Sequence, residues 1–322
     1  MGIEAYKCTK STRFLQGNFL PLLTFRPDFN IFHASMVPPA SPPASHAIEE
    51  TPCAVPCDGE SVIRGDLRHP REGGPFPLVI VCHGFTAHKD WGPFPHIGRA
   101  LAEAGLASIV FNFSHNGMAP PFRRFTEIEK FSRNTIGREI ADVRALLDAA
   151  ARGTFARVDP GRIGIMGHSR GGGVAIIAAA GDPRLRAVAG WGTVATFQRF
   201  TAHQKEAWER DGFLPVTVRG KKTRLRYGID VLRDLLANAA AYDIRAAASR
   251  LRVPLLLVHG EADVSVHLDE PRSLEAAAGA GATLVVIPGT GHAFGAEHPF
   301  RTSPAALERA IALSAGWFST YL

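Results

Sequence analysis

From about residue 60 onward, short β-branched apolar runs alternate with longer stretches rich in alanine and leucine. That alternation restricts the chain to few folds. "PLVIVCHG" (77–84), "ASIVFNF" (107–113), "RIGIMG" (162–167), "LRAVAGWG" (185–192), "VPLLLVHG" (253–260) and "TLVVIPG" (283–289) read as strands, most of them apolar without a break, as in strands buried on both faces. Between them, "HIGRALAEAGL" (96–106), "NTIGREIADVRALLDAAARG" (134–153), "GGVAIIAAAG" (172–181) and segments near 268–279 and 303–320 carry helical periodicity. "SVIRGDLRHP" (61–70) alternates as a half-exposed strand. Strands joined through helices need crossover connections, so the expected fold is α/β: a mostly parallel, twisted sheet with helices on both faces.

The rhythm breaks twice. Residues 193–250 are too charged for core and too long for a loop, and read as a helical or hairpin lid insertion over one edge of the sheet. Residues 1–50 read as an N-terminal extension: 13–32 are apolar but interrupted by Gln16, Asn18, Arg26 and Asp28, and "VPPASPPAS" (37–45) is a proline/serine linker. The principal domain is therefore expected over 51–322, with Met36 just before the linker. No apolar run approaches the roughly 18 residues of a membrane span, which predicts a cytoplasmic protein with no membrane segment. The formal charge of +6 is dispersed apart from "RGKKTRLR" (219–226), which reads as a solvated face and argues against a nucleic-acid partner. Cys8, Cys53, Cys57 and Cys82 make no disulfide framework in 322 residues, and no second Cys/His cluster accompanies Cys53 and Cys57 as zinc would require.

In a parallel sheet, ligands gather at the carboxyl ends of the strands, so the residues just past each strand are the informative ones. After "PLVIVC" comes "HGF"; after "RIGIM", "GHSRGG"; after "PLLLV", "HGEAD"; after "TLVVIPG", "TGHAF". A Gly-x-Ser-x-Gly match alone is weak, but here it sits between a strand and a helix, with Gly167, Gly171 and Gly172 sparing side chains where a nucleophile elbow must turn tightly. Ser169 is therefore the expected nucleophile. A serine hydroxyl needs a base to take its proton. His292, in a glycine-rich loop after the last strand, fits that role better than His267 or His298, which lack the strand-end position. Asp263 would orient the imidazole; Glu261 lies too close to the strand and Asp269 begins a helix. The backbone N–H groups of Phe85 and Arg170 would form an oxyanion hole, their side chains only shaping the pocket, with His83 bracing the turn.

Through "FPLVIVCHGF", "GIMGHSRGGG", "PLLLVHGEADVSV" and "IPGTGHAF", residues from about 55 to 322 resemble the α/β-hydrolase superfamily, in particular its dienelactone-hydrolase-like and cinnamoyl/feruloyl-esterase-like serine hydrolases. The order Ser169, Asp263, His292 is that of the superfamily. The resemblance implies a serine esterase acting on a small-molecule ester through an acyl-enzyme, without metal or organic cofactor. It departs in one place: such esterases often carry an Asn-Gly-His-Gly type loop after the strand "IVFNF", where this chain has "SHNGMAPP".

Two other readings share the motifs. A prolyl-oligopeptidase-like peptidase would usually carry a large N-terminal propeller, and only about fifty residues precede the first expected strand. A non-catalytic binding protein would have no need of all three triad members. Nucleotide binding lacks both G-x-G-x-x-G after the first strand and G-x-x-x-x-G-K-[ST], and dehalogenase or epoxide hydrolase chemistry would want a carboxylate at position 169.

Overall fold

The computed structural model describes residues 47–59, 61–218 and 224–322. The N-terminal extension up to residue 46 and most of the basic run lie outside the described residues.

The chain runs β1 (Ile48–Pro56), β2 (Val62–Pro70), β3 (Phe76–Cys82), α1 (Phe94–Glu103), β4 (Ala107–Asn112), α2 (Ile128–Ser132), α3 (Ile136–Ala151), β5 (Val158–His168), α4 (Arg170–Gly181) and β6 (Leu185–Trp191). It continues through α5 (Ala202–Asp211), the hairpin β7 (Phe213–Thr217) and β8 (Arg224–Gly228), α6 (Ile229–Ala237) and α7 (Ile244–Ser249). Then come β9 (Leu255–Gly260), α8 (Asp269–Ala278), β10 (Ala282–Ile287) and α9 (Ala305–Tyr321). The main sheet has the order β1-β2-β4-β3-β5-β6-β9-β10. Strands β4 to β10 of that order pair in parallel, while β2 runs antiparallel to both β1 and β4.

Alternate residues of the central strands feed two apolar layers. Leu78, Ile80 and Cys82 of β3 join α3, α4 and α7 in one. Val79 and Val81 join α1 and α9 in the other. The period-two alternation of a strand thus appears as an unbroken apolar run because both faces are covered. Helix starts follow local chemistry: the Thr135 side chain accepts from the Arg138 N–H at the head of α3, and Thr201 with Gln204 closes a capping box on α5.

Strand β1 is additional to the expected strands. It lies in a segment rich in Pro and Glu, and it covers the outer edge of β2, whose residues 65–70 are consequently buried rather than half exposed. The insertion also differs from expectation. It departs from β6 and returns to β9, neighbouring strands neither of which is an edge strand, and its hairpin packs against α2. Helix α7 packs on α4 and α8 and so belongs to the helical layer of the sheet itself. The aromatic side chains of the insertion extend the apolar layer beneath it: Trp208, fully buried, stacks on Tyr227 at 5.8 Å and meets Phe200 edge-on at 5.1 Å, and Tyr227 stacks in turn on Phe131 of α2 at 5.2 Å. Within the described end of the basic run, Leu225 is buried and the Arg226 guanidinium lies 5.0 Å over the Phe213 ring.

Cys53, Cys57 and Cys82 are free thiols. Cys82 is fully buried, and burial pushes the Cys53 thiol up to about 11. No helix among the described residues is long and apolar enough to cross a membrane.

Candidate active site

Ser169 stands between the end of β5 and the first turn of α4 with φ 57° and ψ −119°, a backbone conformation that a non-glycine residue rarely holds. The turn around it is closed from behind. A Cβ added to Gly167 would lie 2.1 Å from the Gly171 carbonyl oxygen, and one on Gly171 would lie 2.5 Å from that of His83. Two glycines are therefore required by contact, and the strand can reverse into the helix within one residue. The Ser169 N–H donates to the Trp191 carbonyl at 2.7 Å, and its own carbonyl accepts from the Gly172 N–H at 3.0 Å. Its side chain caps nothing in α4, which leaves the hydroxyl free of a structural duty. The N-terminal end of α4 presents its first N–H groups and its positive dipole beside the hydroxyl.

Asp263 follows β9 and His292 follows β10, and the two meet: His292 Nδ1 donates to Asp263 Oδ2 at 2.7 Å. Asp263 Oδ1 accepts from the Ser265 and Val266 N–H groups at 2.8 and 3.0 Å. Burial alone would raise the Asp263 carboxyl, but the bond from His292 and these two amides hold it below the usual carboxylate range. The two loops are cross-linked through their backbones, with Ala262 N–H donating to the Thr290 carbonyl at 2.9 Å and Glu261 N–H to Ile287 at the same distance. The competing acids are elsewhere. Glu261 accepts from the Gly289 N–H, and Asp269 is exposed beside Arg272. Of the competing histidines, His298 accepts from the Gly92 N–H and stacks on Trp91.

Phe85 lies in the turn after β3. The preceding Gly84 approaches the serine so closely that a Cβ there would lie 3.2 Å from Ser169 Cβ. His83 holds this turn: Nδ1 donates to the Gly84 carbonyl at 2.9 Å, while Nε2 accepts from Asn116 Nδ2 at 3.3 Å. Burial depresses its imidazole to about 4, so it is neutral and fixed in one tautomer. The "SHNGMAPP" loop thus has a structural partner in the turn, through Asn116.

The side chain of Arg170 does far more than shape a pocket. It is half-buried and donates to Glu139 Oε2 at 2.9 Å, to the Tyr227 hydroxyl oxygen at 2.6 Å and to the Asn134 carbonyl at 3.3 Å. Its guanidinium lies 5.7 Å over both the Phe85 and the Tyr227 rings. The residue after the serine therefore bolts the insertion hairpin to α3 and to the turn after β3. A single sequence offers no signal for this, since Glu139 and Tyr227 are 31 and 57 residues away. Removing one member of a buried ion pair strands the other. Arg170→Ala should accordingly lower unfolding free energy by about 3–5 kcal/mol in urea titrations, whereas Arg210→Ala, at a fully exposed surface pair, should leave the unfolding midpoint essentially where it is. Phe85 itself is 40% exposed, with one side of its ring against Phe131 and Tyr227.

The sequence profile of the alpha/beta hydrolase family matches residues 79–309, and the chain belongs to that family. Among curated relatives, a Yersinia pestis protein provisionally described as a carboxymethylenebutenolidase is 26% identical over 262 residues, covering 79% of this chain and 82% of its own. Among solved structures, the dienelactone hydrolase of Anabaena variabilis superposes with a TM-score of 0.58 at 20% identity, over 86% of this chain and all of the other. Est1E of Butyrivibrio proteoclasticus, a protein also solved with ferulic acid bound, superposes with a TM-score of 0.57 at 18% identity, over 84% of this chain and 96% of its own.

Proposed function

We propose that this chain is a carboxylic-ester hydrolase working through Ser169, His292 and Asp263 by way of an acyl-enzyme. The observation that carries the reading is the 2.7 Å bond between His292 and Asp263 on the same rim as a serine held at φ 57°. In this reading His292 Nε2 takes the Ser169 proton as Oγ attacks the ester carbonyl. The backbone N–H groups of Phe85 and Arg170 receive the oxyanion. His292 then passes its proton to the departing alcohol, and a water deprotonated by His292 releases the acid. Asp263 keeps the imidazole in the tautomer whose Nε2 can accept. The names of the similar proteins agree with the reading: a butenolidase and a dienelactone hydrolase act, by name, on lactones, which are cyclic esters. The insertion roofs this site in the proposal, with the exposed face of Phe85 as apolar contact for the substrate.

A fluorophosphonate probe distinguishes a competent serine from a fold that has lost its chemistry. The folded protein should label at one site, Ser169, and should turn over p-nitrophenyl acetate and butyrate in preference to an aminoacyl p-nitroanilide. Absence of labelling would favour a binding protein, and faster release from the anilide would favour a peptidase. Across acyl lengths, preference should shift by no more than about 10–200-fold per methylene, the range an apolar contact supplies.

A further inference from the structure

We propose that His168, the residue before the serine, is a positioning residue for the base: its Nε2–H tethers the main chain of His292, and its ring spaces that loop from the turn after β3. The inference rests on the triad reading above. The tether is direct, from His168 Nε2 to the His292 carbonyl oxygen at 2.9 Å across 124 residues of sequence. A carbonyl only accepts, so the proton is on Nε2 and the tautomer is settled. The two imidazole rings lie 4.5 Å apart, centroid to centroid. On the other side of the ring, Nδ1 faces Gly84 so closely that a Cβ there would lie 3.1 Å away. One side chain, rooted at the end of the strand that carries the serine, therefore touches both the turn after β3 and the loop of the base.

The surroundings suit a neutral donor. His168 walls a small apolar space with Trp91, Phe94, Trp191 and Phe294, and Phe94 meets its ring edge-on at 6.4 Å. Burial, with His292 beside it, depresses the imidazole to about 3. A cation here would oppose the imidazolium that His292 must become during acyl transfer, whereas the neutral ring does not. The tether matters because Asp263 fixes only the ring of His292, through Nδ1. The backbone that carries the ring sits between Gly289 and Gly291 and Ala293, and displacement of a base by about 1 Å can lower rates 10²-fold. The bond to the His292 carbonyl closes that freedom from the side of the nucleophile.

Three substitutions separate tether from filler. His168→Phe keeps a ring and removes the donor; His168→Gln keeps an N–H at comparable reach; His168→Asn keeps an amide too short to arrive. Ester hydrolysis by His168→Phe should show kcat lowered by about tenfold, as expected for one lost hydrogen bond, with KM within about twofold. His168→Gln should regain most of the loss. The downfield proton resonance of His292 Nδ1–H, which needs no turnover, should broaden in His168→Phe and stay sharp in His168→Gln. If the phenyl ring prevents folding, His168→Asn takes its place with the same expected losses. Unchanged kcat together with an unchanged resonance in the donorless variant overturns the inference, as does a His168→Gln enzyme no better than His168→Phe. Retained turnover in Ser169→Ala would instead overturn the triad reading, and the resonance would still report on the tether.

Discussion

Ser169→Ala should lower kcat on p-nitrophenyl butyrate by about 10⁴–10⁶-fold, since the covalent route disappears and only oxyanion and binding contributions remain. The fold should be nearly indifferent. The hydroxyl caps no backbone group of α4, and the backbone at φ 57° is retained by the bond from the Ser169 N–H to the Trp191 carbonyl and by the glycine contacts behind it. Alanine is no more comfortable at this φ than serine, so the unfolding free energy should stay within about 0.5 kcal/mol. Rates from initial velocities, set beside a urea titration of the same preparation, separate the two effects. A variant that keeps a tenth of the activity would remove Ser169 from the mechanism.

Asp263→Asn should lower kcat by about 10⁴-fold while leaving the protein folded. The reason lies in which oxygen is committed. Oδ1 accepts from two backbone N–H groups, those of Ser265 and Val266, so an asparagine must place its carbonyl there and turn its amide toward His292. Nδ1 of His292 then accepts instead of donating, the ring proton moves to Nε2, and the base can no longer take a proton from Ser169. His259 reinforces this arrangement from below, donating from Nε2 to the Val266 carbonyl at 3.0 Å. The change also removes a pH-dependent contribution to stability. The Asp263 carboxyl is depressed in the folded protein, so it stabilises the fold above the ordinary aspartate pKa of about 3.9 and loses that effect as pH falls through the lower folded value. Unfolding curves of the two proteins should therefore converge on acidification. A rate loss under tenfold would show that the imidazole is oriented by other means.

Much of the sheet is legible in the sequence because a strand covered on both faces must be apolar throughout, and "PLVIVC", "ASIVFN" and "PLLLV" leave no other place to lie. Strand β1 is not, because an edge strand beside solvent carries Glu49, Glu50 and Thr51 and shows no apolar run. The insertion is recognisable only as an interruption: its hairpin is stabilised by Tyr227 against Trp208 and Phe131, contacts between segments distant in sequence.

At the site, the sequence by itself determined the order of the serine, acid and histidine, the glycines of the turn, and which strand end supplies each, because strand ends in a parallel sheet share one rim whatever the details of packing. It could separate Asp263 from Glu261 and Asp269 only by position, and the tertiary structure placed Asp263 against His292. The structure alone decided the work of Arg170 and His168. Both flank the serine; the Arg170 side chain reads as pocket lining and His168 carries no signal of its own, yet one is bonded to Glu139 and Tyr227 and the other to His292. Their partners lie 31 to 124 residues away, and a hydrogen bond across that separation depends on how helices and loops settle on the finished sheet, which local periodicity does not encode.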